Sequence, residues 1–118
     1  MLASPTTITI DGTAHSLSRI NSGEPYSSVY LKKATNLELR LTIRHSFESA
    51  KNGAVKVERH NADLIHTTWD ANGIPTVTQT YGVFRTPQNV DPDRVADQQV
   101  GFNTWLTANV VALSNWES

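Results

Sequence analysis

From Leu37 to Phe47 apolar and polar side chains alternate without a break. Successive side chains of a strand point to opposite faces. One face therefore carries Leu37, Leu39, Leu41, Ile43, His45 and Phe47, and the other Glu38, Arg40, Thr42, Arg44 and Ser46. A period of two with one dry side predicts a half-buried antiparallel strand. Only Glu38 and His45 depart from a division into a dry face and a basic, hydroxyl-bearing face.

The same alternation, punctuated by turn residues, divides the rest of the first 87 positions. Residues 6–10 and 14–20 predict a hairpin about Asp11-Gly12-Thr13. Residues 26–32 form the next strand, and the stretch 33–36 turns into the strand at Leu37. Asn52-Gly53 marks a loop over 48–53. Residues 54–69 are extended, with Val55 and Val57 on one face and Lys56, Glu58 and His60 on the other. That alternation fails after Arg59, where Asn61-Ala62-Asp63 predicts a bulge or bend. The 70–75 stretch is a hairpin loop, and 76–86 is the last strand, rich in β-branched threonine. There Val77, Tyr81 and Val83 are assigned to the dry side and Thr76, Thr78 and Thr80 to the wet side.

The period then changes. Asp91-Pro92 reads as an N-cap followed by proline at the first helical position. Asp93 suits the positive end of the helix dipole, and Val90 and Val95 stand where a hydrophobic staple would be. Phe102, Trp105, Leu106, Val110 and Leu113 recur at helical spacing. A helix over 92–114 would be roughly 35 Å long, with Gly101 or Thr107-Ala108-Asn109 as places where it could break in two. A strand spans only about 20 Å. The helical arm therefore overhangs its own sheet and leaves Phe102, Trp105 and Trp116 needing cover. A second copy of the chain is the expected cover, giving an obligate symmetric dimer in which Phe102, Trp105, Leu106 and Val110 line the interface. The fold class is α+β: an N-terminal hairpin, an antiparallel sheet of about five strands and one or two C-terminal helices, with the hairpin over 1–20, the sheet segment over 26–87 and the helices over 91–115. The 118 residues are read as a single domain.

Composition changes this picture in three places. The formal net charge is −1, so affinity for a polyanion must come from segregated charge. Segregation exists: Arg40, Arg44, Lys51, Lys56 and Arg59 outnumber Glu38, Glu48, Glu58 and Asp63, whereas after Thr86 only Arg94 opposes Asp91, Asp93, Asp97 and Glu117. The chain has no cysteine, which excludes disulfides, thiolate catalysis and cysteine-ligated zinc. No apolar run reaches the length of a membrane span. The first twelve residues lack a basic region followed by an apolar one, so no secretory signal is expected.

Catalytic and metal chemistry find little support. His60, Asp63 and His66 look like ligands, but a spacing of three on a strand sends Asp63 to the face opposite both imidazoles. No Gly-x-Ser-x-Gly elbow or glycine-rich phosphate loop is present. Asp91, Asp93 and Asp97 could contribute to a calcium site at an interface, although a dipole-matched helix start accounts for the first two. No cofactor is expected. The wet face is the stronger signal. Arginine and lysine neutralise phosphates, hydroxyls donate to them, and a carboxylate such as Glu58 can accept from a base amino group.

The order of hairpin, sheet and C-terminal helix resembles the coat proteins of single-stranded RNA bacteriophages, the levivirus group. Three segments carry the resemblance: Ser18-Arg19-Ile20-Asn21 leading to Ser27-Ser28-Val29-Tyr30-Leu31; Leu41-Thr42-Ile43-Arg44-His45-Ser46 followed by Val55-Lys56-Val57-Glu58-Arg59-His60-Asn61; and the ending Asn115-Trp116-Glu117-Ser118. It implies an intertwined dimer with a continuous sheet, assembled into an icosahedral shell in the bacterial cytoplasm and found in the virion. The sheet would line the interior and package genomic RNA, and the dimer would also bind an RNA hairpin that represses replicase translation. Arg40, Thr42, Arg44, Lys56, Glu58 and Thr78 fall where that family's RNA-facing positions would be. The loop over 70–75 is shorter than in well-known members.

Two rivals frame the test. A cellular single-strand-binding domain would need aromatic stacking platforms on the wet face, and the alternation puts Tyr81 on the dry side. A small α+β enzyme would need a polar constellation on the dry face, where His45 is the titratable residue of the central strand.

Overall fold

The computed structural model describes residues 4–21, 25–48 and 55–117. Six strands form one antiparallel sheet in sequence order: β1 (Thr6–Ile10), β2 (Thr13–Arg19), β3 (Ser27–Ala34), β4 (Leu37–Glu48), β5 (Val57–Trp69) and β6 (Pro75–Pro87). One helix follows, α1 (Pro92–Ser114). Two-residue turns join the first two hairpins. Asp11 and Gly12, at φ 51° and 77°, close β1 onto β2, and Asn36, at φ 63°, closes β3 onto β4. In the β1–β2 turn both central residues have positive φ, which matches the twist of the flanking strands. The Asp70 carboxylate accepts from the backbone N–H groups of Asn72 and Ile74, at 2.8 and 2.9 Å, and so fixes the β5–β6 turn.

The core lies where the hairpin curls back over the sheet. β2 and β4 are not paired neighbours, yet they come into contact. Leu17, Tyr30 and Leu39 are thereby buried, at 0%, 1% and 0% exposure. Ile8, Ile10, Leu37, Leu41, Ile43 and Leu64 pack around them. Past β5 the cover stops, and β6 is exposed over nearly its whole length.

The long central ladder runs without interruption, pairing Leu37 with Thr68 at one end and Glu48 with Val57 at the other. The expected bulge at Asn61-Ala62-Asp63 is absent: Asn61 faces Arg44, Ala62 faces Ile43 and Asp63 faces Thr42. β5 mixes polar and apolar residues on both faces, and that mixture, rather than a bend, disturbs its pattern. The expected loop over 48–53 falls largely outside the described residues.

α1 is a single helix, unbroken at Gly101 or at Thr107-Ala108-Asn109. The Asn109 side chain donates to the Trp105 carbonyl at 2.8 Å and stays within the helix. The Asp91 carboxylate accepts from the Asp93 N–H at 3.0 Å, as an N-cap should. The helix ends where Trp116 takes a positive φ of 65° and the Glu117 N–H reaches the Ala112 carbonyl at 3.0 Å. No residue of α1 is buried. Val100, Phe102, Trp105, Val110 and Val111 are all more than half exposed. The radius of gyration is 17.1 Å, against roughly 13.5 Å for a compact chain of this length.

Candidate nucleic-acid interface

Cross-strand register assigns every strand residue to a face, because directly opposed residues point the same way. The row Val29, Thr42, Asp63, Tyr81 crosses the sheet from β3 to β6. The neighbouring rows on the same face are Ser27, Arg44, Asn61, Val83 and Leu31, Arg40, Ile65, Gln79. Ser46, Arg59 and Arg85 form the row beyond. Arg40, Thr42 and Arg44 therefore stand together, as the alternation in β4 predicts. Arg59, Asn61, Gln79 and Tyr81 join them.

The other expected members do not. Glu58 pairs with Phe47 and Thr78 with His66, which itself faces Leu39. Both lie on the apolar face. Lys56 belongs there too, with its ammonium 5.9 Å from the centre of the Phe47 ring, a cation–π geometry. Alternation tells which residues of one strand share a face, but not which face of the next strand they join. Leu64 settles that for β5. It lies opposite Leu41 on the covered side, which sends Arg59, Asn61 and Asp63 to the open side. The same register reverses the assignment in β6. Tyr81 and Val83 belong to the basic face, and Thr76, Thr78 and Thr80 to the apolar one.

The basic face is electrostatically open. Arg40, Arg44 and Arg59 form no ion pair among the described residues; the pairs present are Lys33–Glu38, His60–Glu58 and Arg85–Glu48. Arg85 grips Glu48 through two hydrogen bonds, the Nε one at 2.6 Å. Those bonds hold the Glu48 carboxyl below the usual carboxylate range and raise the Arg85 guanidinium. Arg85 is thus neutralised, while the three free guanidiniums remain available. Tyr81 is 67% exposed, and it supplies the aromatic surface that the sequence reading placed on the other side. Between these groups lies a cavity of about 170 Å³, lined by Thr42, Arg44, Arg59, Asn61, Asp63, Gln79, Tyr81 and Val83. Gln79 Nε2 donates to Asp63 Oδ1 at 3.0 Å across it.

The apolar face carries its own polar group. His45 and His60 approach at 2.8 Å through their Nδ1 atoms, and His60 Nε2 lies 3.2 Å from Glu58 Oε2. The His60 ring packs on Phe84, centroids 4.9 Å apart. A larger cavity of about 550 Å³ opens beside them, between the start of α1 and the sheet, lined by Phe84, Val90, Val95 and Val100 among others. The Thr86 hydroxyl at its wall bonds to the Pro87 carbonyl and not to an imidazole, as a nucleophile would to its base. Among the described residues no three of His, Asp or Glu are placed to hold a metal ion. Nor is any helix among them long and apolar enough to cross a membrane.

A family model built on the coat protein of phage phiCb5 matches residues 3–87. The chain belongs to the phage phiCb5 coat-protein family. As a phage coat protein it is a structural component of the virion, not a catalyst. No curated protein matches it. Among solved structures, the virus-like particle of bacteriophage AVE019 aligns with a TM-score of 0.59 at 9% identity, covering 91% of this chain and 88% of that one. The virus-like particle of bacteriophage ESE001 aligns at 0.52 and 13% identity, covering 80% and 86%. At these identities the likeness establishes a shared fold. The coat-protein match ends with β6 and does not include α1.

Proposed function

We propose that the chain forms the shell of a single-stranded RNA bacteriophage, as a symmetric dimer whose basic sheet face binds the genome. The observation that carries this reading is the three guanidiniums of Arg40, Arg44 and Arg59, unpaired and gathered on one open sheet face with Thr42, Asn61 and Tyr81. Guanidiniums neutralise phosphates, hydroxyls and amides add hydrogen bonds to the backbone, and an exposed tyrosine gives single-strand bases a surface on which to stack.

The dimer follows from what one chain leaves uncovered. β6 is an edge strand of 13 residues, and among the described residues no strand pairs with its outer side; a long open edge invites another strand. Antiparallel pairing of β6 with its symmetry mate makes one continuous sheet. It also carries the distal half of α1 across onto the partner's apolar face, where Phe102, Trp105, Leu106 and Val110 find cover. Many weak phosphate contacts summed over a shell then make assembly depend on RNA.

The test is electron microscopy of the protein expressed alone, with an ultraviolet spectrum of the same sample. Uniform spheres with nucleic-acid absorbance are expected. A small species free of nucleic acid would contradict RNA-driven self-assembly.

A further inference from the structure

Asp63 is out of place on a phosphate-binding surface. It lies at the centre of the basic face, between Thr42 on β4 and Tyr81 on β6, and lines the 170 Å³ cavity with Arg44 and Arg59. It forms no ion pair with either arginine. Among the described residues its one hydrogen bond is the 3.0 Å contact that Oδ1 accepts from Gln79. An ionised carboxylate has about four acceptor sites, so most of its capacity faces the cavity. A carboxylate repels phosphate, and its chemistry therefore selects a different part of a nucleotide.

Resting on the reading of this face as the RNA-binding surface, we infer that the cavity takes a single unpaired guanine and that Asp63 reads its Watson–Crick edge. Guanine presents two adjacent donors there, N1–H and the N2 amino group, which match the two oxygens of a carboxylate as a bidentate pair. Adenine offers one donor beside an acceptor. Uracil offers one donor between two carbonyl oxygens that the carboxylate repels. The cavity is on the scale of one base. Tyr81 supplies an exposed ring at its wall, and the unpaired bases of single-stranded RNA leave their Watson–Crick edges free for such contacts. Arg44 and Arg59 on the same wall hold the phosphates of the same nucleotide and its neighbour. Gln79 orients the carboxylate.

The experiment measures binding of the full chain to labelled single-stranded hexaribonucleotides that differ in one central base: guanine, inosine, adenine or uracil. Inosine lacks only the N2 amino group. A bidentate base contact discriminates by roughly ten- to a hundred-fold, so the guanine probe should bind about ten-fold tighter than the inosine probe. Asp63→Asn should abolish that difference without weakening the adenine probe, since it removes a negative charge from the face. Gln79→Ala, which removes the donor that orients the carboxylate, should reduce the preference for guanine. Binding of all four probes with equal affinity, or an Asp63→Asn variant that still prefers guanine, overturns guanine recognition and leaves the RNA-binding face standing. Failure to bind any probe overturns both.

Discussion

Replacing Arg40, Arg44 and Arg59 together with alanine is expected to yield coat protein that still folds and dimerises but packages little RNA. The three side chains take no part in any ion pair among the described residues, and they lie on the face away from Leu17, Tyr30 and Leu39. Their removal therefore costs little stability. Each phosphate contact to a single strand contributes a slope of about −0.7 to the dependence of log affinity on log salt. Losing three should lower that slope by about 2, and should weaken binding near 0.15 M salt by roughly one to two orders of magnitude. The check is a salt titration of RNA binding, with the ratio of nucleic-acid to protein absorbance in purified particles. Lys56→Ala is the matched control. That lysine carries the same charge but sits over Phe47 on the opposite face, so its loss should leave the salt slope unchanged. A triple variant with unaltered slope and RNA content would assign the genome to another surface.

The second large effect belongs to α1. Phe102 and Trp105 stack on each other, centroids 6.2 Å apart, and each remains just over half exposed in one chain. In an isolated chain their replacement would cost little. Under a partner's sheet each truncation should cost about 3–5 kcal/mol, and two-fold symmetry makes every substitution count twice. The Phe102→Ala, Trp105→Ala double variant is thus expected to lose both dimers and shells while keeping its strand signal in circular dichroism. Sedimentation at micromolar concentration checks it. Unchanged dimers would show that the apolar stripe of the helix is not the interface.

The strands, the turns and the helix with its cap were legible because each rests on local chemistry. Alternation over Leu37 to Phe47, Asp11-Gly12 with two positive φ angles and an aspartate before Pro92 are short-range signals. The composition of the candidate face was less legible, because it depends on register between strands. β4 is polar on one side only, so Arg40, Thr42 and Arg44 could be grouped from the sequence. β5 and β6 carry polar residues on both sides. Matching polar with polar put Glu58 and Thr78 beside the arginines, where the ladder puts Asn61, Asp63, Gln79 and Tyr81. One anchor would have sufficed. Leu64 must join Leu41 under the hairpin, and a shift of one residue exchanges every side chain between faces. The expectation of a partner came from the length of α1 against the sheet. The free guanidiniums were not, because the Arg85–Glu48 pair joins residues far apart in the chain, and only the fold reveals which arginine it neutralises.

The genome is proposed to meet the face bearing Arg40, Arg44, Arg59 and Tyr81. Ultraviolet cross-linking of RNA-filled particles, followed by mass spectrometry of the tryptic peptides, tests it most directly. Nucleotide adducts are predicted on Tyr81 and on the peptides that contain Thr42 and Asn61. Adducts confined to Phe47, His60 and Phe84, on the opposite side of the sheet, would contradict it.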